Sequence, residues 1–205
     1  MINLSLLLLS FYMIYRANIF HALKQLNQSR VALHLYAGTT LTLTLLASLT
    51  GGISTQMPLH FMGLAASALI IGYRLTISAA LIVVFILLGL SKISVEQVGI
   101  SLAGGYLIPL MLFQLWIRMT KSHNIWFFSF ITAGLGSVIL FIIKTLCMAS
   151  YYYWELNIIP EMIMSQYMMI SPLFWIPELL LSVTVLITCL QHRPQWVACY
   201  QPSSP

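Results

Sequence analysis

The residue best placed to do chemistry in this chain is a carboxylate where carboxylates are costly. Glu178 lies well inside a long apolar run near the C-terminus, and an ionised side chain at that depth costs a few kcal/mol unless it is paired or hydrated. Two roles fit it. It can gate, couple or line an ion path, or it can be structural, accepting hydrogen bonds from a buried donor such as Lys144 or a nearby backbone amide. Pro177, immediately before it, removes one backbone donor and frees the carbonyl one turn earlier, which predicts a broken helix at this point. His60 is the second candidate. A neutral imidazole near a membrane surface can bind Ni²⁺, Co²⁺ or Zn²⁺, or it can serve only as an interfacial polar group. Gly63 and Ser67 follow it at i+3 and i+7, so this face is narrow enough for a second helix to approach closely.

Other chemistry finds little support. No HxxxH, HExxH or Cys–His pair accompanies His60, and no complete metal site is visible. His21, His34, His123 and His192 are isolated in sequence and read as interface or loop residues. Cys147, Cys189 and Cys199 show no CxxC spacing, and packing explains them better than a disulfide framework. The chain has no GxSxG elbow, no P-loop lysine and no Gly-rich dinucleotide fingerprint. It is not expected to be an enzyme or to hydrolyse ATP by itself.

The elements that must position these residues are set by composition. Hydrophobic residues make up 60% of the chain and charged residues only 6%, where a soluble domain carries about a quarter. Such a chain cannot cover a water-facing surface. Continuous apolar runs from end to end predict an all-α, polytopic membrane protein forming a single domain over residues 1–205; a transmembrane barrel would need short alternating segments instead. With no leader-like N-terminus, the first apolar segment is expected to stay in the mature protein. The formal net charge is +5, from nine Lys and Arg against four Glu. These cations are scattered, which fits membrane orientation and not nucleic-acid binding.

Seven segments are predicted to cross the bilayer: residues 2–20, 31–50, 59–73, 75–90, 98–116, 124–148 and 165–191. The second is rich in threonine (Thr39, Thr40, Thr42, Thr44), whose hydroxyls can bond back to the helix or across to a neighbour. The decisive stretch is residues 57–90, MPLHFMGLAASALIIGYRLTISAALIVVFILLGL. As one helix it far exceeds the usual span. As two short helices, with Arg74 at a tight turn, it puts Arg16, Lys24, Arg30, Arg74, Arg118, Lys121 and Arg193 on one side and Lys92 alone on the other. The positive-inside rule then favours two helices, with the N-terminus outside and the C-terminus inside. Tyr151, Tyr152, Tyr153 and Trp154 fall in the outer connector, where aromatics suit a membrane–water interface.

Two stretches carry a family resemblance. LHFMGLAASALIIGYRLTISAAL, residues 59–81, resembles the His-x-x-Gly stretch of the membrane permease components of nickel and cobalt energy-coupling-factor transporters. PELLLSVTVLITCLQHRPQWVACY, residues 177–200, resembles the last helix and tail of that superfamily, with an intramembrane Glu before an Arg-Pro pair, here Glu178 and Arg193. NIWFFSFITAGLGSVI, residues 124–139, is more loosely similar. The nearest branch is a smaller bacterial one of permease-like proteins ending close to Arg-Pro-x-Trp-Val-Ala.

The resemblance implies a substrate-binding membrane component in the cytoplasmic membrane of a bacterium, taking up Ni²⁺ or Co²⁺ from outside. Its implied partners are the lipid bilayer, an ABC ATPase and a transmembrane coupling subunit. It implies His60 and the Met1 amine as metal ligands, with Glu178, Gly63, Arg74, Pro177 and Arg193 in structural or gating roles. The carry-over stops at position 2, a ligand histidine in the family and Ile2 here. Met57, Gln56 and His34 are the nearest replacements. The competing expectation is a non-transporting assembly or interaction protein that keeps the fold and has lost the metal site.

Overall fold

A computed structural model describes residues 2–26, 28–53, 57–120 and 122–200. The chain is helical, with one small exception. Helix α1 (Ile2–Arg16) and α2 (Ile19–Leu26) meet at Asn18, whose φ of +53° lies in the left-handed region that asparagine tolerates. From Ser5 onward the two form a pair bent by 52°. Helix α3 (Arg30–Ser48) follows, opened by Ser29, whose hydroxyl accepts from the Ala32 N–H at 3.4 Å. Thr39, Thr40, Thr42 and Thr44 each donate to the carbonyl four residues back, so the threonine-rich face satisfies itself.

The exception comes next. β1 (Thr50–Gly51) and β2 (Leu59–His60) pair antiparallel, Thr50 opposite His60 and Gly51 opposite Leu59. Helix α4 (Leu64–Ile70) is only seven residues long, about 10 Å, or roughly a third of a hydrocarbon core. Helix α5 (Tyr73–Gly89) follows. The remaining chain builds three long helices: α6 (Val95–Met119), α7 (Ile125–Trp154) and α8 (Pro160–His192). Each contains a π-helical stretch, at Ala103–Leu107, Phe128–Leu135 and Met164–Met168.

Among the described residues, α3, α6, α7 and α8 are long and apolar enough to cross a membrane, and the bent α1–α2 pair is a fifth candidate. Helix α5 is apolar but shorter, at 17 residues. The helical architecture is therefore plain, and among the described residues four to five helices qualify by length and composition as candidate spans.

Several boundaries differ from expectation. Residues 59–73 are not one helix: an extended stretch precedes a half-helix, because Gly63 takes a left-handed φ of +58° and so cannot continue a right-handed helix. The turn before α5 falls at Ile71–Gly72, where Gly72 has φ +83°, and not at Arg74, which sits in the first turn of α5. Tyr151–Trp154 belong to the end of α7 and not to a connector. Pro177 does not break its helix, which runs continuously from Pro172 to His192 with the proline ring on the exposed side. The expectation placed on Met1 lies outside the described residues.

After α8 the described chain folds back. The Arg193 N–H donates to the Cys189 carbonyl at 2.7 Å, and Pro194–Trp196 make a single 3₁₀ turn. The N–H groups of Ala198 and Cys199 then donate to the carbonyls of Ile70 and Leu69 at 3.1 and 3.2 Å. Those are orphan acceptors at the C-terminus of α4. Arg16, Arg74, Arg118 and Arg193 gather at this end of the bundle, whereas the β hairpin enters from the opposite end.

Candidate functional site

Residues 57–63 form a non-helical backbone that is covered on nearly every side. Met57 and Leu59 are fully buried and Met62 nearly so. Extended backbone inside a membrane bundle is tolerated only where its polar groups find partners within the protein. Here those partners come from two ionisable side chains on distant helices. Glu178, only 3% exposed, projects from α8, and its Oε1 accepts from the Met62 N–H. The Gly63 N–H donates to both carboxylate oxygens, at 3.2 and 3.1 Å. Lys144, 7% exposed, reaches in from α7 and donates from Nζ to the His60 carbonyl at 3.1 Å. The two opposite charges also lie within each other's field.

The carboxylate thus performs, from another helix, what an N-cap side chain does locally. It receives the first N–H groups of α4 and complements the positive end of its backbone dipole. The Ser67 hydroxyl turns back to the Gly63 carbonyl at 2.8 Å. At the other end of α4 the C-terminal tail supplies the missing donors. Both ends of the half-helix are therefore held by residues 178–199, the same region that carries the Glu and Arg-Pro-x-Trp-Val-Ala features.

Aromatic packing fixes the hairpin against this frame. Phe61 meets Phe174 of α8 with centroids 4.9 Å apart, Phe174 stacks on Phe141 of α7 at 5.9 Å, and Lys144 Nζ lies 5.5 Å from the Phe141 centroid. A Cβ on Gly51 would come within 2.7 Å of the Phe174 ring, so the hairpin lies flat on it.

His60 rides on this assembly. Its backbone is fixed by Lys144 and by pairing with Thr50, and its ring lies beside the Ala47 backbone. Its Nδ1 is buried with no hydrogen-bond partner, an unusual state for a buried polar atom.

Three of the residues singled out in sequence, His60, Gly63 and Glu178, therefore meet at one site. Pro177 adjoins it on the outward side of α8. Arg74 and Arg193 lie at the other end of the molecule. Two contributors went unassigned in sequence. One is Lys144 as partner of the hairpin backbone, signalled by a lone lysine in a long apolar run. The other is the docked tail, for which pattern alone gives no signal. Among the described residues, no three His, Cys, Asp or Glu side chains converge in a way that could hold a metal ion. No known protein family, curated protein or solved structure matches the chain.

Proposed function

We propose that this chain is the substrate-binding permease component of a transition-metal transport system of the nickel or cobalt energy-coupling-factor type. The metal ion is its cargo, taken from the outer face. A separate ABC ATPase and a transmembrane coupling subunit supply the energy. The observation that carries this reading is the setting of His60. Its imidazole has a buried, unpartnered Nδ1 beside a half-helix, and interrupted helices of this sort form the substrate sites of many secondary transporters. The Met1 amine is the second proposed ligand, with Glu178 and Lys144 holding the backbone that presents the histidine.

In this reading the chain crosses the membrane seven times, the third crossing being the hairpin and half-helix together. The arginine-rich end faces the cytoplasm of a bacterium, by the positive-inside rule, and the N-terminus and His60 face outward. Isothermal titration of the purified protein with Ni²⁺ or Co²⁺ tests the site. Stoichiometric binding that disappears in His60→Ala supports it; equal, near-zero binding by both proteins defeats it.

A second reading has its own observation in its favour. Ile2 stands where the transporters that the sequence resembles have a ligand histidine, and among the described residues His60 is in no group of three or more His, Cys, Asp or Glu that could hold a metal. A protein that keeps the fold as an assembly or interaction subunit would look the same. Deletion that abolishes metal-dependent uptake excludes this reading. Unchanged uptake together with stable co-purification in a membrane complex favours it over transport.

A further inference from the structure

The arginine-rich end of the bundle contains a cavity that the proposed metal chemistry does not use. It is an open hollow of about 570 Å³ between α2, the start of α5 and the end of α6. Arg16, Arg74 and Arg118 line it, from three different helices and each with an exposed side chain. None of the four glutamates contributes to the lining. Glu178 is buried at the hairpin site, and Glu96, Glu155 and Glu161 sit in or beside the connections at the other end. Among the described residues Arg74 and Arg118 have no hydrogen bond or ion pair, and Arg16 has only that to the Tyr12 hydroxyl at 3.2 Å. Like charges around one hollow, with no carboxylate among its described lining residues, favour an anion there. The guanidinium fork is the group best matched to a phosphate.

The surroundings say where that phosphate comes from. Helix α2 is amphipathic: Ile19, Ala22 and Leu26 are buried against the bundle, while Phe20 is 85% exposed and Tyr15, just before it, 86% exposed. A short helix with one buried apolar face, outward aromatics and Lys24 in its last turn lies at headgroup level. The hollow opens beside it, and its lining mixes apolar residues, Ala17, Leu26, Ile71 and Leu75, with the polar Gln25 and Gln114. That combination suits a phosphodiester with its glycerol and first acyl carbons better than a fully hydrated ion. The uncapped N-terminus of α5 at Gly72–Tyr73 faces the same space and adds favourable potential.

We propose that this cavity binds the phosphate of an anionic phospholipid, with Arg74 and Arg118 as its principal contacts and Arg16 as the third. The site is independent of His60 and of any metal, and its chemistry does not rest on the transport reading. Native mass spectrometry of the full chain, released from membranes containing equal phosphatidylglycerol and phosphatidylcholine, tests it. Wild-type protein is expected to retain phosphatidylglycerol selectively. The double variant Arg74→Gln/Arg118→Gln should lose selectivity by about thirtyfold, while Lys92→Gln, at the other end, leaves it unchanged. Arg74→Lys/Arg118→Lys keeps the charge without the fork and should fall between them; it is the working comparison should the glutamine pair fail to fold. Equal retention of both lipids by wild type overturns the proposal, as does full selectivity in a folded Gln pair. Displacement of phosphatidylglycerol by inorganic phosphate alone would overturn the lipid assignment and give the site to a soluble phosphate.

Discussion

Helix α3 and the stretch from β2 to α4 lie close together in sequence and are subject to the same demand that buried backbone be satisfied, yet they meet it in opposite ways. In α3 every requirement is met locally, and four threonine hydroxyls bond to carbonyls of the same helix. Residues 59–63 meet almost none of it locally. They draw on β1 ten residues earlier, on Lys144 in α7 and on Glu178 in α8. Buried charge in this protein therefore marks where the backbone has stopped satisfying itself. The cost of holding Glu178 and Lys144 away from water is offset by the polar backbone groups they complete.

Substitutions that separate the two regions should rank accordingly. Glu178→Leu leaves the Met62 and Gly63 N–H groups buried without an acceptor and removes the partner charge of Lys144. A loss of about 3–5 kcal/mol is expected in denaturant unfolding in detergent, with Glu178→Gln losing less because one amide oxygen still accepts. Lys144→Met strands the His60 carbonyl and should cost about 1–3 kcal/mol. The double variant Glu178→Leu/Lys144→Met should cost less than the sum of the two, since both act on one backbone segment; strict additivity would separate their roles.

Gly63→Ala forces a Cβ into left-handed backbone and within 2.8 Å of Leu46 Cδ1, for about 1–2 kcal/mol. The smallest effect belongs to the self-sufficient helix. Thr42→Ala removes one exposed hydroxyl that bonds only to its own helix and should stay within about 0.5 kcal/mol. A Thr42→Ala loss as large as that of Lys144→Met would erase the distinction between the two regions.

Much of this was legible in sequence. The class followed from composition, and the long helices followed from continuous apolar runs, because a membrane span is a length-and-hydropathy object. Glu178 stood out because physics makes it costly, and an amide partner was among the expected roles. The half-helix was not legible. Residues 57–62 open a long apolar run with no strand pattern, and the break depends on one glycine φ and on partners more than 80 residues away in the chain. Arg74 drew the eye to the wrong turn, since charge was visible and the left-handed backbone at Gly72 was not. The docking of the tail on Leu69 and Ile70 uses backbone groups, which carry no sequence signature.

The central claim is that Glu178 holds the start of α4 from across the bundle. Hydrogen–deuterium exchange of the segment covering residues 62–70, compared between wild type and Glu178→Gln in the same detergent, tests it most directly. Faster exchange confined to that segment, with α3 unchanged, is the result the account requires. Equal protection of residues 62–70 in both proteins would contradict it.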